Sequence, residues 1–282
     1  MKAVASSNLL VCPACRTDLA AGPDGLVCHH CRQEYPVKNG IPIFFPQGLT
    51  DSDDHKEAGY WNKKDNTTDN LYENMTDAAF RSLIHKFGLP DNTRGLELGC
   101  GDGPFAKRLT GRNMDIYGLD ISFPLLNLTE NMKPVQGSAL DLPFRDMFFN
   151  WIIYAFALHH MIDLEKALKE SLRVLDVGGK ICIVEPNYYH PIRFITRRPD
   201  TMLRQRFFSY LSPEERWIPM HRLNKILRAN GVTVTEYDFV TPEFKSRTLS
   251  GRIQKTLGRL FNFFPAAAVT QSYYLVIGTK HR

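Results

Sequence analysis

The sequence predicts an α/β protein built on a mostly parallel sheet, preceded by a small metal-stapled module. Three observations point there. From residue 94 onward, short apolar runs alternate with helical patterns, as in a parallel sheet covered on both faces. The first of those runs leads into Gly99, Gly101 and Gly103, and the second ends in Asp120. Ahead of them, four of the six cysteines fall into two Cys-x-x-Cys pairs.

Composition sets the outer bounds. The 282 residues are 43% hydrophobic and 23% charged, enough for one sizeable domain plus an appendage. The longest apolar runs, such as Trp151–Leu158, are too short to span a bilayer. The N-terminal MKAVASSNLLVC has no long apolar core of the secretory kind, so a cytoplasmic location is expected. The net charge of +5 is unevenly spread. Residues 51–186 carry 15 Lys and Arg against 21 Asp and Glu, whereas residues 187–282 carry 16 against 6. A basic C-terminal third can attract RNA or an anionic membrane surface, or simply be solvated.

Residues 1–46 read as the appendage. Cys12/Cys15 and Cys28/Cys31 are separated by twelve residues. Two residues between thiolates let a tight turn aim both sulfurs at one ion, and two such turns complete a tetrahedron around Zn²⁺. Four thiolates leave no position open for a substrate, so the expected role is structural. So short a segment needs the metal's binding energy to fold. His29 and His30 are alternative ligands, and disulfides are the rival reading.

Residues 47–70 are polar and read as a linker into a first helix at Asp77–Phe87. Tyr60 and Trp61 interrupt it, either as packing residues or as part of a lid over a ligand. The main domain is expected over 71–282.

Its elements follow in order. A strand at Gly95–Leu98 meets the glycine turn, where residues without side chains let the backbone bend and approach a ligand. A helix is predicted from Pro104 to Leu109, then a strand at Ile116–Leu119 ending in Asp120. A carboxylate at that place suits the two hydroxyls of a ribose, which narrows the ligand to a nucleoside-containing cofactor. Asp163 is placed to cap a helix running to Leu175, with Leu164, Leu168 and Leu175 inward and Gly178-Gly179 ending it. Ile181–Val184 reads as an interior strand, with Cys182 buried in it. A last strand is expected over about Ser272–Thr279.

Two resemblances sharpen this reading. CPAC, CHHC, Tyr35-Pro36 and Gly40-Ile41-Pro42 make residues 8–46 similar to the small zinc-ribbon proteins that activate RNA and protein methyltransferases. LELGCGDG (Leu96–Gly103), YGLDIS, VQGSALDLPF, FFNWIIYAFALHHMID and LRVLDVGGKICIVEPN follow, in order, the signatures of class I methyltransferases of the quinone, lipid and natural-product type. That resemblance spans residues 70–240 and implies a Rossmann-like, mostly parallel seven-stranded sheet. It implies S-adenosylmethionine as cofactor, where a dinucleotide turn would place its third glycine one residue later. On the matching positions, Glu97 and the backbone of Gly99, Cys100, Gly101 and Gly103 would cradle the methionine portion. Asp120 would hold the ribose, Ile121 would pack on the adenine, and Ala139 and Leu140 would line its edge. Phe156 would lie near the methionine end. Ser138 departs from the family, which commonly has an acid there; serine accepts a hydrogen bond more weakly, and Asp141 is the substitute at hand.

Methyl transfer needs alignment above all, and a base only where the acceptor must lose a proton. His159 and His160, just past the fourth strand, are the candidate bases, with Glu185 and Tyr188 behind them. Residues 187–216 read as a helical cap shaping the acceptor pocket, rich in aromatics (Tyr188, Tyr189, Phe194, Phe207, Phe208) and arginines (Arg193, Arg197, Arg198, Arg204, Arg206), with His190 among them. Gly251–Phe264 has the pattern of an amphipathic helix. Three functions stay open: a methyltransferase for a small-molecule acceptor, an RNA base methyltransferase gripping phosphates through the ribbon and the basic third, and a non-catalytic cofactor-binding regulator.

Overall fold

A computed structural model describes residues 9–45, 56, 58–59, 62, 77–109, 111–190, 216–240 and 273–282. The tyrosine and tryptophan of the linker, the arginine-rich part of the cap and the 251–264 stretch lie outside the described residues.

The first four strands are short: β1 (Leu19–Gly22), β2 (Gly25–Cys28), β3 (Glu34–Lys38) and β4 (Ile41–Pro42), each antiparallel to the next. Asn39-Gly40 turns β3 into β4 with φ of 52° and 76°. Both values are left-handed, which an asparagine–glycine pair tolerates and a tight hairpin requires.

The second sheet has seven strands. These are β5 (Arg94–Leu98), β6 (Asp115–Asp120), β7 (Lys133–Gln136), β8 (Phe149–Ala155), β9 (Leu175–Pro186), β10 (Val232–Val240) and β11 (Tyr273–Lys280). Their spatial order is β10-β11-β9-β8-β5-β6-β7. Neighbours from β7 across to β9 are parallel; β11 runs antiparallel to both β9 and β10. The chain order reverses between β5 and β8, which opens a crevice at the carboxyl ends of those two strands.

Side-chain alternation explains the layers. On one face Leu96, Leu98, Ile152, Tyr154, Ile181 and Ile183 meet α4 (Leu164–Val174) and α5 (Met220–Ala229). On the other, Trp151, Ile153, Cys182 and Val184 meet α1 (Asp77–Phe87) and α2 (Pro104–Lys107). A short α3 (Phe123–Leu126) follows β6. Gly95 makes room for the Trp151 indole, since a Cβ there would stand 1.9 Å from the ring.

Two expectations need correction. The glycine-turn helix stops at Lys107, short of Leu109. Asp163 does cap α4, accepting from the Lys166 amide at 3.0 Å, but Gly178-Gly179 does not end that helix. The chain passes from Val174 straight into β9. Phe149 then pairs with Leu175 and Trp151 with Lys180, so Asp176–Gly179 bulge out of the register, with Gly178 at φ 79°.

The ribbon is sewn to the large sheet. Leu10 bridges Phe144, with the Val11 amide donating to Pro143 at 3.0 Å and the Arg145 amide to Leu9 at 3.1 Å. Ile43 bridges Gln136, and the Phe44 amide donates to the Gln136 carbonyl at 2.7 Å. The β7 edge is thereby covered, and an unpaired edge is otherwise open to other chains. Arg16 adds a bond to the Leu142 carbonyl and an ion pair with Glu170 at 2.7 Å. Leu9, Leu10 and Phe44 share a core cluster with Tyr117, Val135 and Phe144. No described helix is long and apolar enough to cross a membrane.

Candidate functional site

In the ribbon, the sulfur atoms of Cys12, Cys15, Cys28 and Cys31 lie within 4.8 Å of one another. Cys12 and Cys31 are 3.6 Å apart and Cys15 and Cys28 3.4 Å. Thiolates sharing a tetrahedral Zn²⁺ at ~2.3 Å would stand about 3.8 Å apart, so the set fits the ion. Each pair is shaped by the same turn: the Arg16 amide bonds the Cys12 carbonyl and the Arg32 amide the Cys28 carbonyl. Arg16 and Arg32 both sit at left-handed φ, 63° and 62°. The Thr17 hydroxyl lies 3.1 Å from Cys15 and 3.0 Å from Cys28, and the Tyr35 hydroxyl 3.0 Å from Cys12. The hydroxyl and amide of Thr17 hold Cys15 down to about 5. Cys31, although the Gln33 amide pulls it down, is pushed up to about 12 chiefly by Cys28. Four thiols so close do not all ionise without a cation among them. His29 and His30 are exposed and outside the cluster.

The glycine turn lies at the carboxyl end of β5. Gly99, Gly101 and Gly103 have φ of 67°, 54° and 76°, a conformation costly for any residue with a Cβ. The Gly99 amide donates to Leu119 at 2.8 Å. Asp120 then ties the turn to β6: one oxygen accepts from the Gly101 amide and the other from the Ser122 amide, both at 2.8 Å. Burial raises the Asp120 carboxyl, and these amides oppose the rise. Glu97 is 2% exposed, and its Oε2 meets no donor among the described residues. Burial pushes that carboxyl well above its usual range, with the Ala106 amide opposing and Asp102 and Asp120 adding to it. A buried acceptor without a donor is costly, and a ligand's donor would relieve it.

Along the crevice, the half-buried Ile121 accepts at its carbonyl from Gln136 at 2.8 Å. Ala139 and Leu140 are buried. The Ser138 hydroxyl accepts from the Leu140 amide at 3.2 Å. Asp141 is exposed and paired with Lys166 at 2.8 Å. Ser122 donates to Asn62 at 2.8 Å, so the linker does reach the end of β6.

Past β8, Phe156 adopts φ 58°, uncommon for a bulky residue, with its amide on the Val184 carbonyl and its ring 4.8 Å from Tyr273. That twist sends Ala157 against the glycine turn; a Cβ on Gly99 would stand 2.4 Å from the Ala157 methyl. A single 3₁₀ turn, Leu158–His160, follows. His159 is 5% exposed and places Nδ1 2.6 Å from Oε2 of Glu185, itself 1% exposed at the end of β9. The other Glu185 oxygen accepts from the Leu158 amide at 2.8 Å. The His160 ring is tilted 41° to that of His159 with centroids 4.1 Å apart, and the Trp217 ring lies parallel to His159 at 6.3 Å. Tyr188 and Tyr189 pack edge to face, and the Tyr189 hydroxyl meets His221 at 2.7 Å.

Residues 96–183 match the family described as "Methyltransferase domain", and residues 7–40 the family described as "Trm112p-like protein". A demethylmenaquinone methyltransferase from Renibacterium salmoninarum is 30% identical over 133 residues, 46% of this chain and 55% of that protein. Among solved structures, an N-methyltransferase of Haemonchus contortus, bound to phosphomonomethylethanolamine and S-adenosylhomocysteine, aligns with TM-score 0.55 at 17% identity, covering 83% of this chain and 59% of that one. A complex of the Haloferax volcanii Trm112 methyltransferase activator with a methyltransferase aligns with TM-score 0.53 at 18% identity, covering 72% of this chain and 88% of that one. The fold is that of the class I methyltransferases. The chain spans about half the length of the curated relatives it matches.

Within this methyltransferase fold, the sequence signals located the glycine turn, Asp120, the His pair and the four cysteines. They missed the Glu185 contact with His159, the left-handed Phe156, and the ribbon's docking onto Gln136 and Phe144. The glutamate–proline pair at the end of β9 was the available sign of the first. The docking strands are one or two residues long and carry no periodicity.

Proposed function

We propose that the chain is an S-adenosylmethionine-dependent methyltransferase acting on a small-molecule acceptor, with a structural Zn²⁺ in its ribbon. The observation that carries this reading is the pairing of the Asp120-locked glycine turn with the unsatisfied Oε2 of Glu97, both at the switch point of a sheet that matches methyltransferases. Bound there, S-adenosylmethionine supplies a sulfonium methyl open to in-line attack. Glu97 would accept from the methionine amino group, with the turn amides beside it. Asp120 would accept from the ribose hydroxyls through lone pairs its amide partners leave available. Ile121 would cover one face of the adenine, and Ala139 and Leu140 its edge. Phe156 and the Ala157–His160 turn would wall the methyl side. Four thiolates suit a metal that folds the ribbon and does no chemistry.

Calorimetry with S-adenosylmethionine tests it. The parent chain should bind, and Asp120→Ala should lose on the order of 100-fold in affinity, as for a lost pair of charge-assisted bonds. No binding by the zinc-loaded parent would end the proposal. The RNA reading draws on the excess of 16 basic over 6 acidic residues in 187–282. Transfer of labelled methyl to RNA, falling steeply as salt rises, would favour it over a demethylated naphthoquinol acceptor of the kind the Renibacterium relative's name implies.

A further inference from the structure

The geometry points to Glu185 as the positioning residue for a proton-accepting His159, and hence to an acceptor that gives up a proton as it takes the methyl group. This rests on the methyltransferase reading above and deepens it by naming the acceptor class: a hydroxyl, a protonatable primary or secondary amine, or an acidic carbon, as opposed to a thioether or tertiary amine.

Glu185 is a carboxylate at 1% exposure with no lysine or arginine bonded to it among the described residues. A buried carboxylate is costly unless donors surround it. It has two: the Leu158 amide on Oε1 and Nδ1 of His159 on Oε2. An ionised carboxylate only accepts, so at 2.6 Å Nδ1 must carry the hydrogen, and the ring's basic lone pair is then on Nε2. The residue is anchored by the Arg216 amide on its carbonyl at 2.9 Å, and its 5% exposed ring has the His160 ring 4.1 Å away. Its turn abuts the cofactor turn through Ala157 and Gly99.

The transfer then balances. The acceptor's electron pair, a lone pair on oxygen or nitrogen or the pair freed when an acidic carbon loses its proton, forms the new bond to the methyl carbon; the carbon–sulfur bond breaks, and its electron pair returns to sulfur as a neutral thioether. The acceptor's proton passes to Nε2 of His159, and the resulting imidazolium faces the Glu185 carboxylate. Among the described residues, the other titratable groups near the pair are His160 on the same turn, Tyr154 on β8 and Tyr274 on β11, with Tyr189 near Tyr274. Burial first, and then the Glu185 charge among others, raises Tyr154 and Tyr274, so both stay neutral phenols.

Glu185→Gln separates positioning from mere packing. The glutamine oxygen can still accept from the Leu158 amide, but its NH₂ faces Nδ1 and demands an acceptor there. The tautomer inverts, and Nε2 carries the hydrogen. In full-length, zinc-loaded protein with ¹⁵N-labelled histidine, His159 should show the Nδ1–H form with S-adenosylhomocysteine bound, and Glu185→Gln should show Nε2–H. With a soluble demethylated naphthoquinol as probe acceptor, kcat should fall by about 10²–10⁴ in Glu185→Gln and recover in part in Glu185→Asp. The acid limb of the parent's pH profile should be absent from Glu185→Gln, and affinity for S-adenosylhomocysteine should be unchanged. An Nε2–H tautomer in the parent, or one that Glu185→Gln leaves as it was, overturns the assignment. So does transfer to a thioether at a rate that Glu185→Gln does not alter. Failure of the parent to bind S-adenosylhomocysteine would instead remove the methyltransferase reading, and the tautomer measured without ligand would still decide the pairing.

Discussion

Ile41, on the last strand of the ribbon, shares one buried apolar cluster with Cys100, the residue at the heart of the glycine turn. Leu126 completes it, with Met132 and Phe123 alongside. The four-cysteine module thus leans on the backbone that would hold the cofactor, and Asn39 adds a bond to Asn127 at 3.1 Å.

Removal of the Zn²⁺ proposed for the ribbon should therefore be felt at the cofactor site. Chelation, or Cys12→Ser with Cys28→Ser, should lower the melting temperature and weaken S-adenosylhomocysteine binding by about 5-fold or more, the lower range for coupled sites. Calorimetry before and after zinc is restored checks it. Unchanged affinity in the metal-free protein would uncouple the two.

Glu97→Gln should divide stability from binding. The neutral amide removes a buried carboxyl whose ionisation burial opposes, so the unliganded protein should melt no lower than the parent. Cofactor affinity should drop about 10- to 100-fold for want of a charged acceptor. Thermal melts with and without S-adenosylhomocysteine give both quantities, and equal affinities would remove Glu97 from the site.

Gly99→Ala should harm both. A left-handed residue with a Cβ costs about 1–2 kcal/mol, and here that carbon would also meet the Ala157 methyl at 2.4 Å. Overpacking adds about 1–3 kcal/mol. Denaturant unfolding should show the sum, and cofactor binding should be lost. A variant as stable as the parent would mean that the turn is less constrained than the geometry implies.

Glu170 supplies a pH signature. Burial raises its carboxyl, but bonds from Arg173 and Arg16 outweigh this and hold it below the ordinary value. A lowered folded value gives stability that is present above the unfolded value of about 4.3 and lost as pH falls through the folded one. The parent should lose stability as acid is added, and Glu170→Gln should show a shallower slope in that window and a lower plateau near neutrality. Melting temperatures from pH 7 down to 3 decide it.

The large sheet was legible because its strands obey strong rules: Trp151–Ala155 and Ile181–Val184 are continuous apolar runs, and glycines mark the turn before α2. Asp120 and the cysteine pairs were legible because their chemistry demands fixed spacing. The end of α4 was not, since Gly178-Gly179 has the signature of a helix stop and instead relieves a bulge in β9. Nor was the seam, because Leu10, Ile43 and Phe44 look like ordinary core residues of a small module. Their partners, Phe144 and Gln136, lie about a hundred residues away, where local pattern carries no information.

That seam has a consequence for stoichiometry. Val11, Arg145 and Phe44 join ribbon and sheet within one polypeptide, so the contact forms at an effective concentration set by the connecting chain. An intramolecular contact does not depend on protein concentration, and a free ribbon protein would have to displace a resident copy from the seat on β7. Each seven-stranded sheet is thereby supplied with its own cover at a fixed ratio of one to one.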